Sequence, residues 1–161
     1  MVGIVVVSHS AELAGGVVEL ASAMGGPEVP IEPAGGLAEP PGAIGTDAML
    51  VKSAIEAAHA DGGVLVLMDL GSALLSAEMA AEMVEAEDGG DVLLCEAPLV
   101  EGAVAAAATA RGGASLEAVA KEARGALAMK AGELPSEAPV EDAGALRATA
   151  STSSARRRAA R

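Results

Sequence analysis

Two short segments hold the residues best suited to chemistry. They are Ser8, His9 and Ser10 in the first segment, and Asp69, Gly71 and Ser72 in the second. His9 follows a continuous apolar run and precedes a stretch with helical spacing. A helix N-terminus offers free N–H groups and partial positive charge, which disfavour an imidazolium ion and favour a bound phosphate. We therefore expect His9 to be a neutral nucleophile beside an anion site. Ser8 and Ser10 are expected to cap the helix or donate hydrogen bonds, and to contact the phosphate or a partner.

Asp69 follows a second apolar run in the way that His9 follows the first. If the two strands are neighbours, its carboxylate holds one ring nitrogen of His9 as N–H and leaves the other nitrogen free to attack phosphorus. Gly71 and Ser72 open the next helix, so their amides and the Ser72 hydroxyl can cradle the transferring group. Spacing alone leaves other roles open, because a histidine after a strand is often structural and an aspartate there is often a turn residue.

The apolar pattern predicts an α/β fold. Strands are predicted at residues 2–7, 64–68 and 92–95, and a weaker strand at 28–33 contains Pro30, which suits a sheet edge. Helices are predicted between and after the strands. The apolar faces of the first two are formed by Leu13, Val17, Leu20, Ala21 and Met24 and by Leu50, Ala54, Ile55 and Ala58. The third has Leu74, Leu75 and Ala81 on its apolar side and Glu78, Glu82 and Glu85 on its acidic side, and two more helices follow at 99–110 and 115–131. This alternation gives a mainly parallel four-stranded sheet with helices on both faces. The loops at 8–10, 69–72 and 96–98 should meet at its carboxyl edge.

Charge and composition divide the chain into a domain, residues 1–131, and a Pro-, Ser- and Arg-containing tail, residues 132–161. All 23 acidic residues lie in residues 1–146 beside five of the ten Lys and Arg residues, so this part carries −18 and the rest +5. Such an acidic body repels nucleic acid and attracts a basic protein partner. The absence of Phe, Tyr and Trp also removes stacking platforms for bases. The tail is expected to be disordered and solvated, although it could touch an acidic surface or nucleic acid.

The remaining reactive side chains are expected to be structural. Cys95 closes an apolar run and is predicted to be a core thiol, and His59 is predicted to be a solvated residue near a helix end. No His, Cys or Asp spacing is typical of a metal site, and no glycine-rich nucleotide motif is present. Neither a signal peptide nor a membrane helix is indicated, so a cytoplasmic location is expected.

Four segments in order resemble one family. They read VVVSHS at 5–10, IGTDA at 44–48, MDLGSALLSAE at 68–78 and APLVEG at 97–102, and together they span most of residues 1–130. They resemble the phosphotransfer subunit of the phosphoenolpyruvate-dependent dihydroxyacetone kinases, which is related to the IIA domains of mannose-type sugar permeases.

The resemblance implies a phosphoryl relay on a flavodoxin-like homodimer. His9 would accept a phosphoryl group from the phosphocarrier HPr and pass it to ADP held on the nucleotide-binding L subunit, whose ATP supports phosphorylation of dihydroxyacetone. By the same match Asp69 would orient His9, and Gly71 with Ser72 would lie beside the phosphate. The chain itself would carry only a transient phosphohistidine, with no tightly bound cofactor.

Three other interpretations stay open. A IIA component of a mannose-type sugar permease would use the same chemistry for another acceptor, although the segment at 71–78 argues against it. A regulatory adaptor would use its phosphorylation state to control a partner such as a transcription factor. A small-molecule binding module of the same fold would carry no acid-labile phosphate.

Overall fold

The computed structural model describes residues 1–88 and 90–133. The strands are β1 (Gly3–Ser8), β2 (Ile31–Gly35), β3 (Val64–Met68) and β4 (Val92–Cys95), and the helices are α1 (Ala11–Gly25), α2 (Ala48–Ala57), α3 (Ser72–Asp88), α4 (Leu99–Arg111) and α5 (Leu116–Glu133). The strands form one parallel sheet in the order β2-β1-β3-β4. The predicted α/β, flavodoxin-like sandwich is therefore confirmed. The predicted tail, residues 132–161, lies outside the described residues except for the last two residues of α5, so its disorder stays a prediction.

The two central strands are buried on both faces, as their continuous runs of Val, Ile and Leu predict. Successive side chains of β1 point to opposite faces of the sheet. Ile4 and Val6 pack with α1, α4 and α5, whereas Val5 and Val7 pack with α2 and α3. Helices therefore cover both faces, and the carboxyl ends of the strands are left as the open edge of the sandwich.

Small residues let the helices approach the sheet closely. A Cβ atom added at Gly3 would lie 1.9 Å from the carbonyl oxygen of Ala58, just beyond the end of α2. In α3 the buried side is formed by Ala73, Ala77, Ala80, Ala81 and Val84. With no aromatic residue in the chain, alanine methyl groups fill much of the space between layers.

The predicted apolar faces of α1 and α3 are partly wrong. Leu13 and Leu20 of α1 are 46% and 50% exposed, and Leu74 and Leu75 of α3 are 44% and 62% exposed. The inward positions of α1 belong instead to Ala14, Val17, Ala21 and Gly25. The physical reason is spacing, because a leucine facing inward would hold each helix farther from its neighbours than alanine does.

The edge strand is displaced from its prediction. β2 runs from Ile31 to Gly35 rather than over 28–33, so Pro33 and not Pro30 lies within it. Its position at the sheet edge is confirmed, because β2 pairs only with β1 among the described strands. The second helix ends at Ala57, with Ala58 as its C-cap. Within residues 1–88 and 90–133, every helix is too short or too polar to cross a lipid bilayer.

Candidate functional site

The sheet brings His9 and Asp69 to the same edge. β1 and β3 are parallel neighbours with Val7 opposite Met68, so the residues that follow each strand lie side by side. The backbone N–H of Asp69 also donates to the carbonyl of Val7 at 3.1 Å, which extends the ladder into the loop. β2 lies on the far side of β1, so chain order reverses between β1 and β3. Ligand sites in open α/β sheets gather at such a reversal.

The Asp69 carboxylate orients the His9 side chain through hydrogen bonds. Its Oδ1 lies 2.8 Å from Nδ1 of His9, while Oδ2 accepts the backbone N–H of His9 and the hydroxyl of Ser8, each at 2.9 Å. Partial burial raises the pKa of the Asp69 carboxyl, but the hydrogen bonds from His9 and Ser8 outweigh burial and hold the pKa below its ordinary value. The carboxylate is therefore ionised near neutral pH, and an ionised carboxylate only accepts hydrogen bonds. Nδ1 must then carry the proton.

The two serines beside His9 have different positions. The Ser8 side chain is fully buried, donates to Asp69 and accepts the backbone N–H of Ser10 at 3.1 Å. It supports the carboxylate and does not face the open edge, where the sequence had suggested phosphate or partner contact. Ser10 caps α1, because its hydroxyl accepts the N–H of Leu13 at 3.2 Å. The predicted capping role of Ser10 is therefore confirmed.

The other ring nitrogen faces the open edge. Nε2 of His9 lies 2.8 Å from the hydroxyl oxygen of Ser72. The side chains of His9 and Asp69 are 31% and 20% exposed, so the pair is half-buried with the ring reachable from solvent. With the proton on Nδ1, Nε2 has a lone pair and accepts the Ser72 hydroxyl proton. Nε2 is therefore the nitrogen that is available as a nucleophile.

The turn into α3 supplies backbone donors beside Nε2. Gly71 has φ +65°, a left-handed conformation that glycine adopts without strain, and no atom lies within 4 Å of the position of an added Cβ. In the described part of the chain, the N–H groups of Gly71 and Ser72 have no backbone acceptor. These free N–H groups and the start of α3 form a favourable place for an anion.

The loop after β2 is hydrogen-bonded to His9, whereas no hydrogen bond among the described residues joins the predicted loop at 96–98 to the histidine. The N–H of Gly45 donates to the carbonyl of His9 at 3.0 Å, which ties the segment before α2 to the histidine. Glu96 instead pairs with Arg124, with 2.8 Å between Oε1 and Nε. The strand order accounts for this difference, because β2 neighbours β1 directly while β4 is separated from β1 by β3.

Two hydroxyl residues near the site were not assigned a role from the sequence. Thr46 donates to Ser72 at 3.0 Å, and Ser76 donates to Thr46 at 2.9 Å. Thr46 stands directly before Asp47, the N-cap of α2, and Ser76 lies one helical turn after Ser72. The spacing of Ser72 and Ser76 on one helix face was the available signal.

The residues predicted to be structural lie away from the site. The Cys95 side chain is fully buried and contacts the carbonyl of Ala120 at 3.8 Å, so the predicted core thiol is confirmed. His59 is exposed just after α2, at the amino-terminal edge of the sheet, opposite the edge that carries His9. The two histidines therefore belong to different ends of the molecule.

Comparison with known proteins identifies the domain. The EIIA-man family model, described as "PTS system fructose IIA component", matches residues 3–120. A DhaM phosphoryl donor subunit of a PEP-dependent dihydroxyacetone kinase from Escherichia coli K12 is 47% identical over 135 residues, which cover 83% of this chain and 29% of the relative. The DhaM from Providencia stuartii is 44% identical, and the match covers 83% of this chain and 28% of that protein. The chain thus spans less than a third of these two relatives.

Shorter relatives match over nearly their whole length. A phosphoryl donor subunit DhaM of PEP-dependent dihydroxyacetone kinase 2 from Listeria innocua is 36% identical over 122 residues, or 76% of this chain and 96% of the relative. A crystal structure described as "unknown function protein EF1359" superimposes with a TM-score of 0.67 at 40% identity, and covers 78% of this chain and 94% of that one. The chain therefore belongs to the EIIA-man family, together with the DhaM phosphoryl donor subunits of dihydroxyacetone kinases.

Proposed function

We propose that this chain is the phosphoryl carrier of a dihydroxyacetone kinase. In this proposal Nε2 of His9 accepts a phosphoryl group from HPr and donates it to ADP held on the L subunit of the kinase. The observation that carries the proposal is the fixed orientation of the ring, with Nδ1 bound to Asp69 and Nε2 facing Ser72 at the open edge. Relatives named as phosphoryl donor subunits support the same activity.

Each element of the site has a role in the proposed transfer. The Nε2 lone pair attacks phosphorus, the N–P bond forms, and the bond between phosphorus and the donor breaks. The ring becomes more positive as the bond forms, and the Asp69 carboxylate on Nδ1 stabilises that charge. The phosphoryl oxygens would lie within reach of the Ser72 hydroxyl and of the free N–H groups at the start of α3. Attack by a phosphate oxygen of ADP then breaks the N–P bond and regenerates neutral His9.

The surface beside the site suits a protein partner. Leu70 is 79% exposed in the loop between Asp69 and α3, and Leu74 and Leu75 are exposed in the first turn of the helix. Exposed leucines clustered beside a reactive group are typical of a surface that another protein covers. The acidic charge of residues 1–146 favours a basic partner, in agreement with a relay between proteins.

Phosphorylation at a single histidine tests the proposal. The chain is incubated with phosphoenolpyruvate, enzyme I and HPr, and its mass is measured for the wild type, His9→Ala and His59→Ala. We expect one acid-labile phosphoryl group per chain in the wild type and in His59→Ala, and none in His9→Ala. His59 is a matched control, because it is an exposed histidine at the other edge of the sheet. Labelling of His9→Ala would overturn the proposal.

A second candidate acceptor is a IIB domain of a sugar permease, which the description "PTS system fructose IIA component" favours. The two acceptors are distinguished by mixing the purified phosphorylated chain either with the L subunit and ADP or with a mannose-type IIB domain. We expect rapid loss of the phosphoryl group and formation of ATP with the L subunit. Rapid transfer to the IIB domain alone would replace the dihydroxyacetone kinase as the client.

The proposal also includes the state and place of the carrier. The chain would act in the cytoplasm as a homodimer, without a tightly bound cofactor, because the nucleotide stays on the partner. Sedimentation velocity of the full chain measures the oligomeric state, and a single species with the mass of one chain at working concentration would contradict the dimer.

A further inference from the structure

Three hydroxyl groups form a continuous chain that ends at the reactive nitrogen. Ser76 Oγ donates to Thr46 Oγ1 at 2.9 Å, Thr46 Oγ1 donates to Ser72 Oγ at 3.0 Å, and Ser72 Oγ lies 2.8 Å from Nε2 of His9. These hydrogen bonds join two parts of the fold, since Thr46 belongs to the loop before α2 and the serines belong to α3.

The donors in the structure give the series of hydrogen bonds a direction toward His9. A hydroxyl has a single proton to donate, so the proton of Ser76 is used on Thr46 and the proton of Thr46 is used on Ser72. The Ser72 proton is left for Nε2 of His9. At the other end of the ring, Nδ1–H donates to the Asp69 carboxylate. With these donors, every group in the series has one acceptor when Nε2 carries no proton.

The position of Thr46 is fixed independently of the serines. Immediately before it, Gly45 donates its N–H to the carbonyl of His9 at 3.0 Å. Immediately after it, Asp47 accepts the N–H of Met49 at 2.8 Å and caps α2. Thr46 is therefore held between the histidine backbone and a helix start, which makes it a rigid support for the Ser72 hydroxyl.

From this geometry we infer that Thr46 and Ser76 are positioning residues for phosphoryl transfer. Their hydroxyls hold the Ser72 hydroxyl in one rotamer with its proton aimed at Nε2. When the N–P bond forms, Nε2 loses its lone pair and the Ser72 proton turns to a phosphoryl oxygen on the same line of approach. The inference rests on the proposed function, because it assigns a role within transfer through His9.

The test removes the Thr46 hydroxyl without changing the size of the side chain. Single-turnover rates of phosphorylation by phosphorylated HPr are measured for wild type, Thr46→Val, Thr46→Ser and Ser76→Ala. Loss of one neutral hydrogen bond in the transition state lowers the rate by about threefold to tenfold. We expect that loss in Thr46→Val, a smaller loss in Ser76→Ala, and recovery in Thr46→Ser. Thr109→Val is the matched control, because the Thr109 hydroxyl donates to the carbonyl of Ala105 within α4, and its rate should equal that of the wild type.

A double variant separates positioning through Ser72 from a general structural effect. In a Ser72→Ala background the Thr46→Val change should have no further effect on the rate, because the group that Thr46 orients is gone. Nitrogen NMR of the unphosphorylated protein gives a readout independent of transfer, and Thr46→Val should shift the Nε2 resonance of His9. Equal rates for wild type and Thr46→Val, or full additivity with Ser72→Ala, would overturn the inference. If His9 takes up no phosphoryl group in the wild type, the proposed function fails first.

Discussion

Replacing Asp69 by Asn tests whether the carboxylate sets the proton on the histidine ring. The two carboxylate oxygens accept different numbers of hydrogen bonds. Oδ2 accepts two, from Ser8 and the His9 backbone, and Oδ1 accepts one, from Nδ1. An amide has one accepting oxygen and one donating nitrogen. Its oxygen should take the Oδ2 position, where it satisfies two donors. The new NH₂ group then faces Nδ1 and donates to it.

The consequence is a change of tautomer. With a donor facing Nδ1, the ring proton of neutral His9 moves to Nε2, the nitrogen that is proposed to attack phosphorus. The protein then has to recover the tautomer with a free Nε2 against the loss of a hydrogen bond to a charged group, about 1.5–3 kcal/mol. At about 1.4 kcal/mol per tenfold change, transfer should slow by about 10- to 100-fold while the fold is retained.

The assay combines a rate with a spectrum. Single-turnover phosphorylation by phosphorylated HPr gives the rate, and nitrogen NMR of the histidine ring gives the tautomer before transfer. Asp61→Asn is the control, because it removes the same charge from an exposed turn at the opposite edge of the sheet, and should match the wild type. A wild-type rate for Asp69→Asn, or a ring that keeps its proton on Nδ1, would refute the reasoning.

Three further predictions concern stability and reactivity. Gly3→Ala should destabilise the fold by about 1–3 kcal/mol or more, since the new Cβ would lie 1.9 Å from the carbonyl oxygen of Ala58. Urea unfolding followed by circular dichroism measures the free energy of unfolding, and an unchanged midpoint would contradict the close approach. Cys95, fully buried beside Ala120, should react with a thiol reagent only after unfolding, and fast reaction of the native protein would show that the thiol is accessible. Because the folded pKa of Asp69 lies below its ordinary value, its stabilisation is complete above that ordinary value and is lost as pH falls through the folded pKa. The difference in unfolding free energy between wild type and Asp69→Asn should therefore shrink in acid, and a difference independent of pH would exclude this linkage.

The strands and the central pair of the site could be predicted because their signals are local. Continuous runs of β-branched residues and Leu mark buried parallel strands, and the residues just after such strands lie at one edge. The prediction that His9 and Asp69 lie side by side therefore required only that β1 and β3 be neighbours, and the strand pairing confirms this.

The sequence pattern failed where the outcome depended on distance between layers. Hydrophobicity alone points Leu74 and Leu75 inward, but the buried side of α3 consists of four alanines and Val84. The role of the loop before α2 was also missed, because sequence order does not show that β2 pairs with β1 on the side away from β3. Thr46 reaches Ser72 only through that pairing.

The buried alanine side chains of α3 set the distance between this helix and the sheet. Ser72 is the first residue of this helix, so this distance sets how far its hydroxyl stands from the imidazole on the sheet below. A larger side chain at Ala77 or Ala80 would move the helix away from the sheet and increase the distance between the Ser72 hydroxyl and the His9 ring. The volume of side chains remote from His9 thus sets the distance between its ring and the Ser72 hydroxyl.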